Sequence, residues 1–313
     1  MKINLNLSFF FYALLIGFVI IPAKYSFSDS HSIQIATIFD TLVDSIEKDT
    51  KKANKIKQIL EGTGNILSST MDMDYQTEFS IGESLALEGL NRYGLSIQDS
   101  ELQRYVNLMG NALAKNSIRF EIPYYVMIVN SSIYNAFACP GGIIFITSSL
   151  VELMNDESEL AGVIAHEIAH VALKHAVQTL KRSNFFQGVG KITAATMKKN
   201  KGQQMYQIIN GLQTVLFDTG LDKQMEFEAD RMGMDIAYRT GYDPRGLIRV
   251  LQALSMQRAF THQKGSWFST HPPLSERINA CNQNSSQYLD AKELARVANR
   301  FISYKTRIVT QNQ

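Results

Sequence analysis

Apolar positions along the 313-residue chain recur mostly with the 3.6-residue period of buried helix faces. Ile35, Ile38, Phe39, Leu42, Val43 and Ile46, followed by Ile56, Ile59 and Leu60, predict one or two amphipathic helices over 33–61. Gly62-Thr-Gly-Asn then breaks the pattern, and helices are expected at 75–92 and 99–116. The second is marked by Leu102, Tyr105, Val106, Met109 and Leu113, with Asp99 or Ser100 as its cap. The period changes at Tyr124-Tyr-Val-Met-Ile-Val and Gly142-Ile-Ile-Phe-Ile-Thr, two β-rich runs separated by the turn Pro140-Gly-Gly. Helical periodicity resumes at 147–154 and 157–182, the latter opening on Asp156 with Glu159 in a capping-box arrangement. Further helices are expected at 203–217, 223–240, 244–259 and 290–304. The expected class is α+β and mostly helical, around a small sheet.

The N-terminus departs from this pattern. Leu7 to Ile21 is almost uninterruptedly apolar after Lys2, and Ser26 and Ser28 are spaced as the −3 and −1 residues of a signal-peptidase site. Fifteen residues of helix span roughly 22 Å, short of the ~30 Å hydrocarbon core. Residues 1–28 therefore read as a cleaved signal peptide and the mature chain as periplasmic or secreted. The alternative is an uncleaved anchor in the inner membrane, the only route to membrane contact. Further along, the most apolar run, Ile192 to Met197, is too short to span and is flanked by lysines. The remainder divides into an N-terminal helical part (29–120), a core (121–285) and a C-terminal helix and tail (286–313).

Composition narrows the function. A formal net charge of +2 leaves no basic face for nucleic acid, and the clusters at Lys48–Lys57 and Lys198–Lys201 read as solvated surface. In an oxidising compartment Cys139 and Cys281 could form a disulfide or remain two buried thiols.

The chemistry concentrates at His166-Glu-Ile-Ala-His. On a helix, positions i and i+4 lie almost above one another, so His166 and His170 aim two imidazoles at one point, with Glu167 beside it. Two neutral nitrogen ligands and a neighbouring carboxylate suit a hydrolytic zinc site, in which Glu167 takes a proton from metal-bound water. A third ligand is needed. In Gln224-Met-Glu-Phe-Glu-Ala-Asp-Arg, Glu226 and Asp230 share a helix face whereas Glu228 projects about 200° away. Glu226 is the economical ligand and Asp230 an acceptor that orients a histidine N–H. The other reading pairs both with Lys223 or Arg231 on a solvated face. His175, nine residues and about 900° past His166, should lie on the opposite face as a surface or interhelical histidine. His31 and His262 have no partner motif and read as surface residues. Trp267 and Phe268 either pack or line a substrate pocket.

Four motifs stand in order: Asn135-Ala-Phe-Ala-Cys-Pro-Gly-Gly, Glu159-Leu-Ala-Gly-Val-Ile-Ala-His-Glu-Ile-Ala-His, Glu226-Phe-Glu-Ala-Asp and Ser269-Thr-His-Pro-Pro-Leu-Ser-Glu-Arg. Together they resemble the BepA/HtpX type of zinc metallopeptidase, the family that also contains the CAAX prenyl endopeptidases. The resemblance implies a gluzincin-like fold, with a small sheet packed on the two-histidine helix, and one Zn2+ per chain on His166, His170 and Glu226. It implies Glu167 as catalytic base and Asp230 as a further active-site residue. His271 and Arg277 become candidate donors to the developing oxyanion, with His271 alternatively closing the fourth zinc position. It also suggests an edge strand that binds substrate backbone, formed either by Asn135-Ala-Phe-Ala or by Ile143–Thr147, with Asn135 reaching the substrate. With no later membrane span and only about 30 residues beyond the last motif, the chain is closest to exported members without a helical-repeat array. The expected activity is endoproteolysis of unfolded or misassembled envelope proteins. The competing class is a periplasmic chaperone or adaptor with structural zinc.

Overall fold

The computed structural model describes residues 73–182, 201–257, 265–271 and 273–311. The Leu7–Ile21 segment, the expected cleavage at Ser28, the helices of 33–61, the apolar run Ile192–Met197, His31 and His262 lie outside the described residues.

Helices α1 (Tyr75–Tyr93) and α2 (Ser100–Ala114) come first, followed by strands β1 (Tyr125–Val129), β2 (Ala136–Cys139) and β3 (Ile143–Thr147). Then come α3 (Ser148–Leu153), α4 (Glu157–Ala172), α5 (His175–Arg182), α6 (Lys201–Gln213), which runs into the π-helical turn Thr214–Thr219, and α7 (Lys223–Thr240). Helices α8 (Gly246–Ser255), α9 (Trp267–Thr270), α10 (Leu274–Ser285) and α11 (Ala298–Gln311) complete the described chain. The α+β, mostly helical class expected from the sequence is the one observed. No helix among the described residues is long and apolar enough to cross a membrane.

The sheet is the middle of three layers, which explains why its strands read as continuous apolar runs rather than alternating ones. Val126, Ile128, Ile144 and Ile146 face one core with α2 and α4, while Met127, Val129, Ile143 and Phe145 face another with α1, α6 and the π-helical turn. Its order is β1-β3-β2, parallel between β1 and β3 and antiparallel between β3 and β2. Ile143–Thr147 is therefore the central strand and cannot serve as an open edge; Ala136–Cys139 is the edge.

The other edge is closed by side chains. Asn107 on α2 donates to Val126 O at 2.6 Å and accepts from Val126 N at 3.0 Å. Gln103 does the same at Ile128, at 3.0 and 3.2 Å. Two carboxamides thus stand in for a neighbouring strand along β1.

Helix α4 is buried along its whole length, which its near-absence of exposed polar positions requires. Asp156 caps it by accepting from Glu159 N at 3.1 Å. The return half of the capping box differs: Glu159 Oε2 accepts from Asn155 N at 2.8 Å. The acidic first turn is neutralised from outside, Asp156 by Arg296, Glu157 by Arg300 and Glu159 by Arg249. This charge set docks α8 and the C-terminal helix α11 onto the start of α4.

The expected helix over 157–182 is two helices. Lys174 takes a left-handed φ of 55°, and the chain restarts as α5 at His175 in a new direction. Helix α10 was not marked by the sequence pattern, and the final helix starts at Ala298 rather than near 290. The cysteines carry no disulfide: Cys139 and Cys281 are buried free thiols.

Helices α4 and α7, which carry the candidate ligands, approach through Gly233. A Cβ there would stand 2.9 Å from His166 N and 3.0 Å from His166 Cα. Main chain cannot yield as a side-chain tip can, so Gly233→Ala must push the helices apart. We expect a loss of about 1–3 kcal/mol in urea unfolding, with weaker zinc binding in the same protein. Unchanged values for both would contradict the tight crossing.

Candidate metal centre

One turn of α4 and the first two turns of α7 meet at the bottom of a cleft. His166 Nε2 and His170 Nε2 lie 2.9 Å apart. Glu226 enters from α7, with Oε2 3.6 Å from His166 Nε2 and Oε1 3.5 Å from His170 Nε2. His271, just after α9, completes a group of four whose ligand atoms all lie within 4.8 Å of one another. All four side chains are buried. Neither Glu226 oxygen makes a well-aligned hydrogen bond, and apart from the Arg277 guanidinium 2.9 Å from Oε2 the carboxylate is left to the cluster, as expected of a metal ligand. Two imidazoles converging nitrogen to nitrogen carry the same meaning. The residues present fit a divalent cation, and N/N/O donors are those of zinc.

Electrostatics agree with this reading. Burial lowers the pKa of His166 to about 4, and lowers those of His170 and His271 well below the imidazole norm, so all three are neutral near pH 7. Burial also raises Glu226 well above the carboxylate range, Arg277 only partly opposing it, and pushes Glu167 up to about 8.

Asp230 behaves differently. Burial alone would raise it, but the Arg277 guanidinium overrides this and holds it well below the usual range. Arg277 Nε and Nη2 donate to Asp230 at 2.8 and 2.6 Å, and Nη1 donates to His271 O at 3.0 Å. Nη1 also sits 2.9 Å from Glu226 Oε2. Asp230 Oδ1 in turn lies 3.0 Å from His166 Nδ1. The alternative of a solvated face is overturned, since Glu226 and Asp230 are buried and Lys223 pairs with Glu276 instead.

The structure thus brings His166, Glu167, His170, Glu226, Asp230, His271 and Arg277 together. Three of the five Arg277 N–H groups are committed to Asp230 and His271 O, which makes this residue a structural hub of the site. His271 fits the fourth corner of the cluster better than a freely swinging donor: Thr270 Oγ1 contacts its Nδ1 at 2.8 Å and Trp267 stacks on its ring at 4.3 Å. Its ring otherwise faces Glu167, 3.7 Å from Oε1.

Two expectations are corrected. Asn135 does not reach toward a substrate; its carboxamide is buried and donates to Gly265 O at 2.8 Å and Tyr93 OH at 3.1 Å, pinning the segment that carries His271. His175 is the interhelical histidine of the two alternatives, but it is not on the far face. It is fully buried against His170, Nδ1 to Nδ1 at 2.8 Å, because the chain turns at Lys174. Trp267 packs, fully buried between His271 and the Arg277 guanidinium.

The cleft above the cluster is lined by Glu167, His170 and His271, by Ala138 of the edge strand, and by Val215 and Leu216 of the π-helical turn. Because Thr147 N donates to Asn135 O, alternation along the antiparallel ladder turns the N–H and C=O of Ala136 and Ala138 away from β3.

Comparison with known proteins decides the family. The model of peptidase family M48 matches residues 98–285, more than half of the chain. The chain belongs to peptidase family M48. The beta-barrel assembly-enhancing protease of Yersinia pestis is 27% identical over 281 residues, covering 82% of this chain and 57% of the relative. The protein of that name from Escherichia coli K12 is 29% identical over 199 residues, 61% of this chain and 40% of the relative. The mitochondrial metalloendopeptidase OMA1 of Bos taurus is 28% identical over 180 residues, 55% of this chain and 34% of the relative. The chain thus spans about half the length of the curated relatives it matches.

Two predictions follow from the charges. Removing the guanidinium strands a buried Asp230 anion, so Arg277→Met should cost about 3–5 kcal/mol in chemical unfolding; a loss under 1 kcal/mol would refute the hub. A bound cation favours the ionised forms of Glu226 and Glu167, both of which burial raises. Net proton release on metal uptake at pH 7 is expected, read as a binding heat that varies with buffer ionisation enthalpy. Buffer-independent heats would mean that both carboxylates are already ionised.

Proposed function

We propose that this chain is a zinc-dependent endopeptidase of the bacterial cell envelope, with residues 121–285 as its catalytic core and 1–28 removed on export. His166, His170 and Glu226 hold one zinc ion, and His271 closes the site at rest. The observation that carries this reading is the convergence of four buried ligand-type groups beside Glu167, whose Oε1 has no hydrogen-bond partner, at the floor of the cleft.

Bound zinc supplies Lewis acidity to water and to the scissile carbonyl. Glu167 accepts the proton of the attacking water and returns it to the departing nitrogen. A carboxyl that burial lifts to about 8 is a stronger base than an exposed one, and the charge of a cation nearby brings it back toward ionisation. Asp230 keeps His166 Nδ1 protonated, which leaves Nε2 as its donor atom. Arg277 keeps Asp230 charged.

Ala138 of the edge strand lines the cleft, so an extended polypeptide can lie beside β2 there as an added strand. Strand addition reads main chain rather than sequence, which suits unfolded or misassembled proteins as substrates. The names of the bacterial relatives, which refer to β-barrel assembly, support placement in the envelope.

The test uses purified protein loaded with stoichiometric zinc and unfolded casein. Cleavage is expected for wild type, with a fall of at least about 100-fold in Glu167→Gln while zinc content is unchanged. Zinc-loaded wild type that leaves unfolded substrates intact, or equal activity in the variant, would overturn the assignment.

A further inference from the structure

The two imidazole ligands face opposite problems. His166 has Asp230 behind it, 3.0 Å from Nδ1. His170 has no carboxylate at that distance; behind it stands His175, Nδ1 to Nδ1 at 2.8 Å. His175 Nε2 lies 3.4 Å from Glu228 Oε2, an ion-pair separation without hydrogen-bond geometry. Glu228 lies between Glu226 and Asp230 on α7, on the face turned away from the cluster.

Tautomers decide what this chain of contacts can be. Two imidazole Nδ1 atoms at 2.8 Å must share one proton, one donating and the other accepting. If His170 Nε2 is a donor atom to zinc, its only proton is on Nδ1, so Nδ1–H donates to the bare Nδ1 of His175. His175 must then carry its own proton on Nε2, which faces the Glu228 carboxylate. The ring protons of His170 and His175 are then both assigned, and the charge of Glu228 favours the second.

The geometry points to His175 and Glu228 as positioning residues that fix the tautomer and ring orientation of His170 for metal binding, as Asp230 does directly for His166. This rests on the reading that His170 is a zinc ligand. Alternate residues 226, 228 and 230 of one helix would then serve the whole site: a ligand, the end of a relay, and a direct acceptor. The left-handed turn at Lys174 makes it possible, since an uninterrupted α4 would carry His175 away. Glu228 is half-exposed, its side chain 45% accessible, so water screens its end of the relay and its share should be the smaller.

The experiment is zinc affinity, measured by competition with a chromophoric chelator on the full chain, alongside the d–d spectrum of the cobalt-substituted protein. His175→Leu removes the acceptor, and zinc binding should weaken about 10- to 100-fold with a shifted cobalt spectrum. His175→Asn places an amide oxygen where Nδ1 stood and should restore affinity to within a few-fold of wild type. Glu228→Gln should weaken binding only a few-fold. Circular dichroism of the zinc-free proteins checks folding; should the leucine variant fail to fold, the asparagine and Glu228→Gln proteins carry the test. Zinc binding in His175→Leu equal to wild type, or no rescue by asparagine, overturns the relay alone. Wild-type protein that takes up no zinc overturns the metal site and the relay with it.

Discussion

One guanidinium, buried beyond the reach of water, sets the terms for the site. Arg277 holds Asp230 as an anion, braces the carbonyl of His271 and stands against Glu226. Three histidines and three carboxylates in a dry interior would otherwise be a liability, because each loses hydration with nothing in return. The cation lets the carboxylates divide their labour. Asp230 stays charged and serves His166, while Glu226, though close to the same arginine, remains the group that a second positive charge would ionise.

The frame around this charge is apolar and tightly crossed. A wholly buried α4 leaves its two imidazoles no alternative partners in solvent, and Gly233 lets α7 lie close enough for Glu226 to meet them. The acidic start of α4 is matched by arginines from α8, α11 and the segment before α11, so elements far apart in sequence hold the helix that carries the motif. Position of the ligands is thus a property of the whole described fold.

Much of this was legible in the residues. His166, Glu167 and His170 follow from helix geometry alone, and Glu226 and Asp230 from the same rule on a second helix. The misreadings share a cause: a local rule applied across a place where tertiary contacts override it. His175 was put on the far face by counting 100° per residue through a break that neither glycine nor proline announces. Between Asn135-Ala-Phe-Ala and Ile143–Thr147 as the edge strand the residues do not choose, because both runs are buried on both faces and only the pairing order separates them. Helix α10 was missed because few of its residues are buried, yet Arg277 and Cys281, at i and i+4, were its signal. For Arg277 the sequence shows that an arginine is present but not that Asp230 and His271 O claim three of its donors.

The carboxamides of Gln103 and Asn107 have a consequence for how molecules of this protein can meet one another. A sheet with two bare margins can stack end upon end into fibres without limit. Here one margin is already satisfied from within the fold, so lateral association through main-chain pairing stops at a pair. Main-chain pairing between copies of this protein is thereby kept from growing into an open-ended stack.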